Sequence, residues 1–308
     1  MNNRLYIHAD DYALTVHNSK QILDCVKQGS LDGISIINNM PHFERCMNML
    51  KTEIPNLPFL PALSVHIDLV EGRSLSLQDS LISRNGLLKL SWKKLFFYSY
   101  SPWRRKVKGL LKNEIKKQIE TGSNEIRECI DIAKIEGIPC NQKNIWIDFH
   151  QHAHAIPVVW DALVEVIKEN QYKIEYIRCP KEPFLPFFPD ITYLGKYRPI
   201  NYIKNILLRF YSNKIEQYQK QHNMRLMFMW GLLMSGKMDY TRIKTLFPHV
   251  LKHAQTNQRD LELLFHPGDM LAEERCPEIN EKDAFKFYAS ENRKIEKEAV
   301  LSVRKELI

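Results

Sequence analysis

Leu5-Tyr6-Ile7-His8-Ala9-Asp10-Asp11-Tyr12 is a short apolar run that finishes in two adjacent carboxylates. A buried strand has no packing reason to end this way. Neighbouring carboxylates repel, and desolvating them is costly unless a cation or a shared proton compensates. The run therefore reads as a core strand that delivers acidic chemistry at its C-terminal end.

Working outward, short apolar runs recur at Arg4–His8, Gly33–Ile37, Leu63–Ile67, Asn144–Phe149, Ile174–Cys179, Leu226–Gly231 and Leu261–His266. Between them, Ser19–Gln28, Lys116–Glu136, Pro157–Asn170 and Tyr240–Thr256 carry apolar residues at three- and four-residue spacing, the pattern of amphipathic crossover helices. Strands alternating with such helices predict an α/β fold, a TIM-like barrel of seven parallel strands. The polar residues that look chemical fall at the strand ends: Asp10 and Asp11, Ser35 and Asn38, His66, Asp148 with His150, Arg178, Trp230 and His266. In a parallel barrel that end is the active-site face, so the pattern points to an enzyme.

The 308 residues, 44% of them apolar, support a sizeable core. They read as one domain over 1–308, with a basic aromatic insertion at about 84–117 and a long Pro-, Phe- and Tyr-rich loop at about 180–199. No basic-then-apolar leader opens the chain, and no run approaches the ~20 apolar residues of a membrane span, so a cytoplasmic protein is expected. Cys25, Cys46, Cys129, Cys140, Cys179 and Cys276 are scattered and read as reduced structural thiols. The net charge of +8 is concentrated between Arg84 and Lys117, where the only acid is Glu114. Trp92, Phe96, Phe97, Tyr98, Tyr100 and Trp103 interleave with those cations. Such a stretch suits an anionic substrate, a membrane surface or a solvated face. No nucleic-acid-binding motif accompanies the charge, so nucleic acid is not expected as a partner.

In Ile145-Trp146-Ile147-Asp148-Phe149-His150-Gln151-His152-Ala153-His154, an extended chain would put Asp148, His150, His152 and His154 on one face. His66 follows the apolar strand Ala62–Val65. With Asp11 and His150 it makes a set of one carboxylate and two imidazoles. Such a set leaves positions open on a divalent cation, as hydrolytic sites require. His266 ends a strand stopped by Pro267-Gly268 and stands where a general acid is useful.

His8-Ala9-Asp10-Asp11-Tyr12, Val65-His66, Asp148-Phe149-His150-Gln151-His152-Ala153-His154 and Glu262-Leu263-Leu264-Phe265-His266-Pro267-Gly268, in that order, resemble the YdjC family of carbohydrate deacetylases. That family includes chitooligosaccharide and hopanoid-associated deacetylases. Gly231–Gly236 and Phe287–Glu296 resemble its later segments. The resemblance implies an irregular (β/α) barrel that removes N-acetyl groups from sugars with a divalent metal. It assigns Asp10 as base, Asp11, His66 and His150 as metal ligands, and His266 as acid; Arg178 is placed either to orient Asp10 or to bind substrate oxygens. His8, Tyr12, Phe149 and Gln151 depart from the family pattern without removing a ligand.

The expected activity is metal-dependent deacetylation of an acetamido sugar, an oligosaccharide or a lipid-linked glycan, with zinc or magnesium as the ion. The alternatives are another metal-dependent hydrolase on the same barrel and a catalytically silent sugar-binding protein. Residues 92–112 are the expected contact for a membrane or a lipid-linked glycan, and a homodimer stays open.

Overall fold

The computed structural model describes residues 4–77, 79–190, 199–279 and 282–307. Seven parallel strands form a curled sheet in the order β7-β6-β3-β2-β1-β9-β8. These are β1 (Leu5–Tyr12), β2 (Gly33–Ile37), β3 (Ala62–Ile67), β6 (Ile145–Phe149), β7 (Ile174–Ile177), β8 (Met227–Trp230) and β9 (Asp260–Phe265). All seven are the strands expected from the sequence, to within a few residues at their ends. A small antiparallel hairpin, β4 (Ser83–Arg84) and β5 (Leu87–Leu88), turns on Asn85 and Gly86. Both turn residues have positive φ, as a tight two-residue hairpin demands. The ends of the seven-stranded sheet meet across a seam where the Met229 amide, in β8, donates to the Lys181 carbonyl at 3.3 Å.

Strand alternation sorts the side chains. Ile7, Ile34, Ile36, Leu63, Val65, Ile147, Ile177, Phe228, Leu261 and Leu263 point outward into the main core beneath the helices. The inward set begins with an apolar plug at the N-terminal end, where Trp146, Tyr176 and Met227 pack with Tyr6 and Ala62. Above it the interior turns polar: His8, Ser35, Ser64, Asp148, Arg178 and Glu262 are all buried. A barrel of this kind is usually filled by branched apolar side chains. Here the middle layer is ionic, and it supports the mouth.

Helices α1 (Val16–Lys27), α2 (Phe43–Glu53), α3 (Trp92–Tyr100), α4 (Arg104–Ile135), α5 (Pro157–Glu169), α6 (Pro199–Gln221), α7 (Tyr240–Thr256), α8 (Lys282–Tyr288) and α9 (Glu291–Glu306) surround the sheet. α4 is one continuous helix of 32 residues whose first turns are the basic stretch. Arg104, Lys108 and Lys112 pair in turn with Asp161, Glu165 and Glu169 on α5, so these cations clasp two helices together. Of the loop read over 180–199, residues 191–198 lie outside the described residues, and Pro199 opens α6.

Candidate metal centre at the barrel mouth

Adjacent residues on a regular strand face opposite ways, so Asp10 and Asp11 can serve one site only if the backbone breaks between them. It does: Asp11 has φ of 70°, and the pairing of β1 with β2 shifts register between Ala9 and Tyr12. Both carboxylates thereby reach a cavity of about 440 Å³ that His150, His152 and His266 also line.

Asp11, His66 and His150 each offer a ligand atom, all within 4.8 Å of one another. His66 Nε2 lies 3.8 Å and His150 Nδ1 3.3 Å from Asp11 Oδ1. The far side of each group is already held. His66 Nδ1 meets Asp148 Oδ1 at 2.7 Å. Asp11 Oδ2 accepts from Arg293 at 2.9 Å. The Tyr288 hydroxyl lies 3.0 Å from His150 Nε2 and donates to Glu71 at 2.7 Å, so the imidazole Nε2–H must be the donor to the tyrosine oxygen. Nδ1 is then the nitrogen that faces Asp11, and it offers a lone pair to a cation once its own proton is displaced.

Asp11 Oδ1 and His66 Nε2 have no hydrogen-bond partner, although both are buried. Orphaned atoms of this kind, aimed at one another from residues locked on their far sides, are the donor set a divalent cation takes. Charge points the same way. Six buried carboxyl groups, of Asp10, Asp11, Asp68, Glu71, Asp148 and Glu262, stand against the two guanidinium groups of Arg178 and Arg293, a surplus of acidic oxygens that a cation would offset. Burial alone would raise the Asp11 pKa, but Arg293 and His150 outweigh it and hold the carboxyl well below its ordinary value. Burial opposes charge on His150, yet Asp68, Asp11 and Glu71 push its pKa up to about 10. Asp68 and Glu71 are themselves raised, chiefly by burial.

Asp10 is held differently. Arg178 Nη1 contacts both of its oxygens at 2.9 Å. The same guanidinium reaches Asp148 at 2.5 Å and Glu262 at 2.8 Å. Ser35 bridges His8 to Asp148, completing the ionic layer. His266 lies across the cavity with Nδ1 3.9 Å from Glu296 and its ring edge against Phe287.

The run of alternating histidines does not continue as a strand. β6 stops at Phe149, and Gln151 and His152 take positive φ values of 52° and 57°. A strand whose face would carry three buried imidazoles gives way to a turn that separates them. His150 goes to the Asp11 cluster, His152 to the cavity wall, and His154 inward, where its Nε2 contacts the Arg178 carbonyl at 2.7 Å. Trp230 also departs from its expected place at the mouth and packs in the outer core. The sequence reading missed Arg293 and Tyr288, which arrive on α9 and at the end of α8. A hint was available: two adjacent buried carboxylates need a counter-charge, and Phe287–Glu296 contains an arginine.

The chain is similar to proteins named carbohydrate deacetylase. A carbohydrate deacetylase of Xenopus laevis is 25% identical over 290 residues, covering 86% of this chain and 81% of that protein. A carbohydrate deacetylase of Danio rerio is 23% identical over 189 residues, covering 60% of this chain and 52% of its own length. One from Thermoanaerobacter pseudethanolicus is 25% identical over 184 residues, covering 59% of this chain and 63% of its own. The family model described as YdjC-like protein matches residues 4–128 and 140–305, nearly the whole chain, and the protein therefore belongs to the YdjC-like family.

Proposed function

We propose that this protein is a metal-dependent deacetylase acting on acetylated carbohydrates, with an acetamido sugar as substrate. The observation that carries the reading is the meeting of Asp11 Oδ1, His66 Nε2 and His150 Nδ1, with Asp11 and His150 lining the same cavity as Asp10. Three relatives named carbohydrate deacetylase support it. Two imidazoles and a carboxylate fit zinc by donor type, and magnesium stays open because cellular availability also decides occupancy.

A cation held by Asp11, His66 and His150 would supply Lewis acidity for an amide carbonyl and lower the pKa of water. Asp10 is the base: it takes a proton from the attacking water while Arg178, gripping both its oxygens, fixes its direction. Arg178 thus acts through Asp10 and is a positioning residue. His266 is the acid. Glu296 holds the His266 backbone by accepting from its amide at 2.6 Å and keeps a carboxylate 3.9 Å from the imidazole, which delivers a proton to the departing amine.

Acetate release from acetylated mono- and oligosaccharides, after metal stripping and add-back, tests the proposal. Acetate should appear with substrate and metal together and vanish on chelation. Hydrolysis of phosphate esters without acetate release, or binding of sugar with no turnover, would replace this reading.

A further inference from the structure

α6 is amphipathic in the reverse sense. Its buried side carries Asn205, Ser212, Glu216 and Gln219 beside Leu208 and Ile215. Its exposed side carries Ile200, Ile203, Ile206 and Phe210, spaced by three, three and four residues into one stripe. Ile203 is 55%, Ile206 58% and Phe210 70% exposed. On the neighbouring α3, Phe97 is 57% and Tyr100 70% exposed, with Trp103 following at 50%. The two helices share one face: the Tyr100 and Tyr211 hydroxyls are 2.9 Å apart, and the Phe96 ring packs 5.5 Å from Tyr211. Tyr100, Phe210 and Tyr211 line one groove between the helices, and exposed apolar side chains gathered in this way mark an interaction site, whereas single ones do not.

Charge identifies the partner. α3 contains Lys93 and Lys94 and no acid. α6 contains Lys204, Arg209 and Lys214, while its Lys220 pairs with its one acid, Glu216, which Lys181 and Arg259 also hold. Arg105 and Lys106 lie exposed at the adjoining start of α4, while Arg104, Lys108 and Lys112 are engaged with α5. The apolar stripe is therefore bordered by cations. Ile200, Asn201 and Lys204 also line the cavity of the candidate site, so this face runs into the mouth.

We infer that the α3–α6 face docks on an anionic lipid surface, with the barrel mouth at its edge. Apolar side chains at the headgroup boundary and cations beside acidic headgroups are what an interfacial helix uses. A second copy of the chain fits less well, because a two-fold contact places the same cationic border against itself. The surface does not depend on which reaction the mouth performs, so its failure and that of the deacetylase reading are told apart.

The test is co-sedimentation of the full chain with vesicles of phosphatidylcholine alone and of an equimolar phosphatidylcholine–phosphatidylglycerol mixture. The protein should pellet with the mixed vesicles, stay largely in solution with the neutral ones, and be released by salt. The variant Ile203→Ser/Ile206→Ser/Phe210→Ser should lose vesicle affinity by about tenfold or more. Its unfolding midpoint and its turnover of a soluble sugar should match the parent. Lys93→Gln/Lys94→Gln/Lys214→Gln reads the same face without touching apolar residues and should weaken binding with a flatter salt dependence. No pelleting of the parent with anionic vesicles, or equal pelleting of parent and both variants, overturns the inference. So does a dimeric parent, by light scattering, that the Ser variant converts to monomer, since a second copy then covers the face.

Discussion

Asp10 and Asp11 are neighbours in the chain with different holders, and that difference is testable residue by residue. Asp11→Asn should abolish metal binding by calorimetry, because Asp11 Oδ1 is one of the unpartnered atoms at the cluster. Asp10→Asn should bind metal as the parent does and lose turnover by a factor on the order of 10², the usual scale for a general base. Equal loss of metal in both variants would end the division of roles. Arg178→Met should be costly for stability, by about 3–5 kcal/mol, since it strips the counter-charge from Asp10, Asp148 and Glu262 together. Chemical denaturation of the apoprotein measures it. At this scale the sequence was legible where a residue ended a strand: Asp11, His66 and His150 were each read from a strand terminus, and the structure brings them together. Arg293, Tyr288 and Glu71 were not, because they lie in helices or loops, and only tertiary packing gives them their neighbours.

Among elements, strands were easier to read than helices. Outward Val, Ile and Leu made each strand an apolar run, but α6 was missed because its apolar residues face out and polar ones face in. No periodicity argument assigns a core face to such a helix. α6 is tied down by charge instead. Burial pushes Glu216 up, but Arg259, Lys181 and Lys220 bring it down to about 2. A carboxyl depressed on folding contributes stability above its ordinary value of 4.5 and loses it as pH falls towards 2. Glu216→Gln should therefore destabilise near neutral pH and flatten the acid limb of the stability profile, read from denaturant midpoints across that range. β2 gives another case. A Cβ added at Gly33 would lie 2.4 Å from His8 Nδ1 inside the barrel. Gly33→Ala should cost about 1–3 kcal/mol, and less in a His8→Ala background, where the obstruction is gone.

For the whole molecule, the proposed cation site would link stability to binding. A cation that binds only the folded chain stabilises it by about 2.7 kcal/mol at a hundredfold excess over Kd. The thermal midpoint should rise by several degrees with metal, return with chelator, and stay fixed in Asp11→Asn. The overall plan was readable because parallel strands buried on both sides advertise themselves; the turn that ends β6 was not, since only the burial of three imidazoles makes a straight continuation untenable. The place of β1 in the sheet carries a last consequence. It lies between β2 and β9, so Leu5 pairs along one edge with Leu261, in a strand that leaves the ribosome much later. Until Asp260–Phe265 is synthesised, that edge offers bare backbone donors and acceptors beside a strand of apolar residues. The nascent chain must wait in this state until that later strand emerges. Premature termination before β9 should yield aggregates or chaperone-bound fragments, with no partly working enzyme among them.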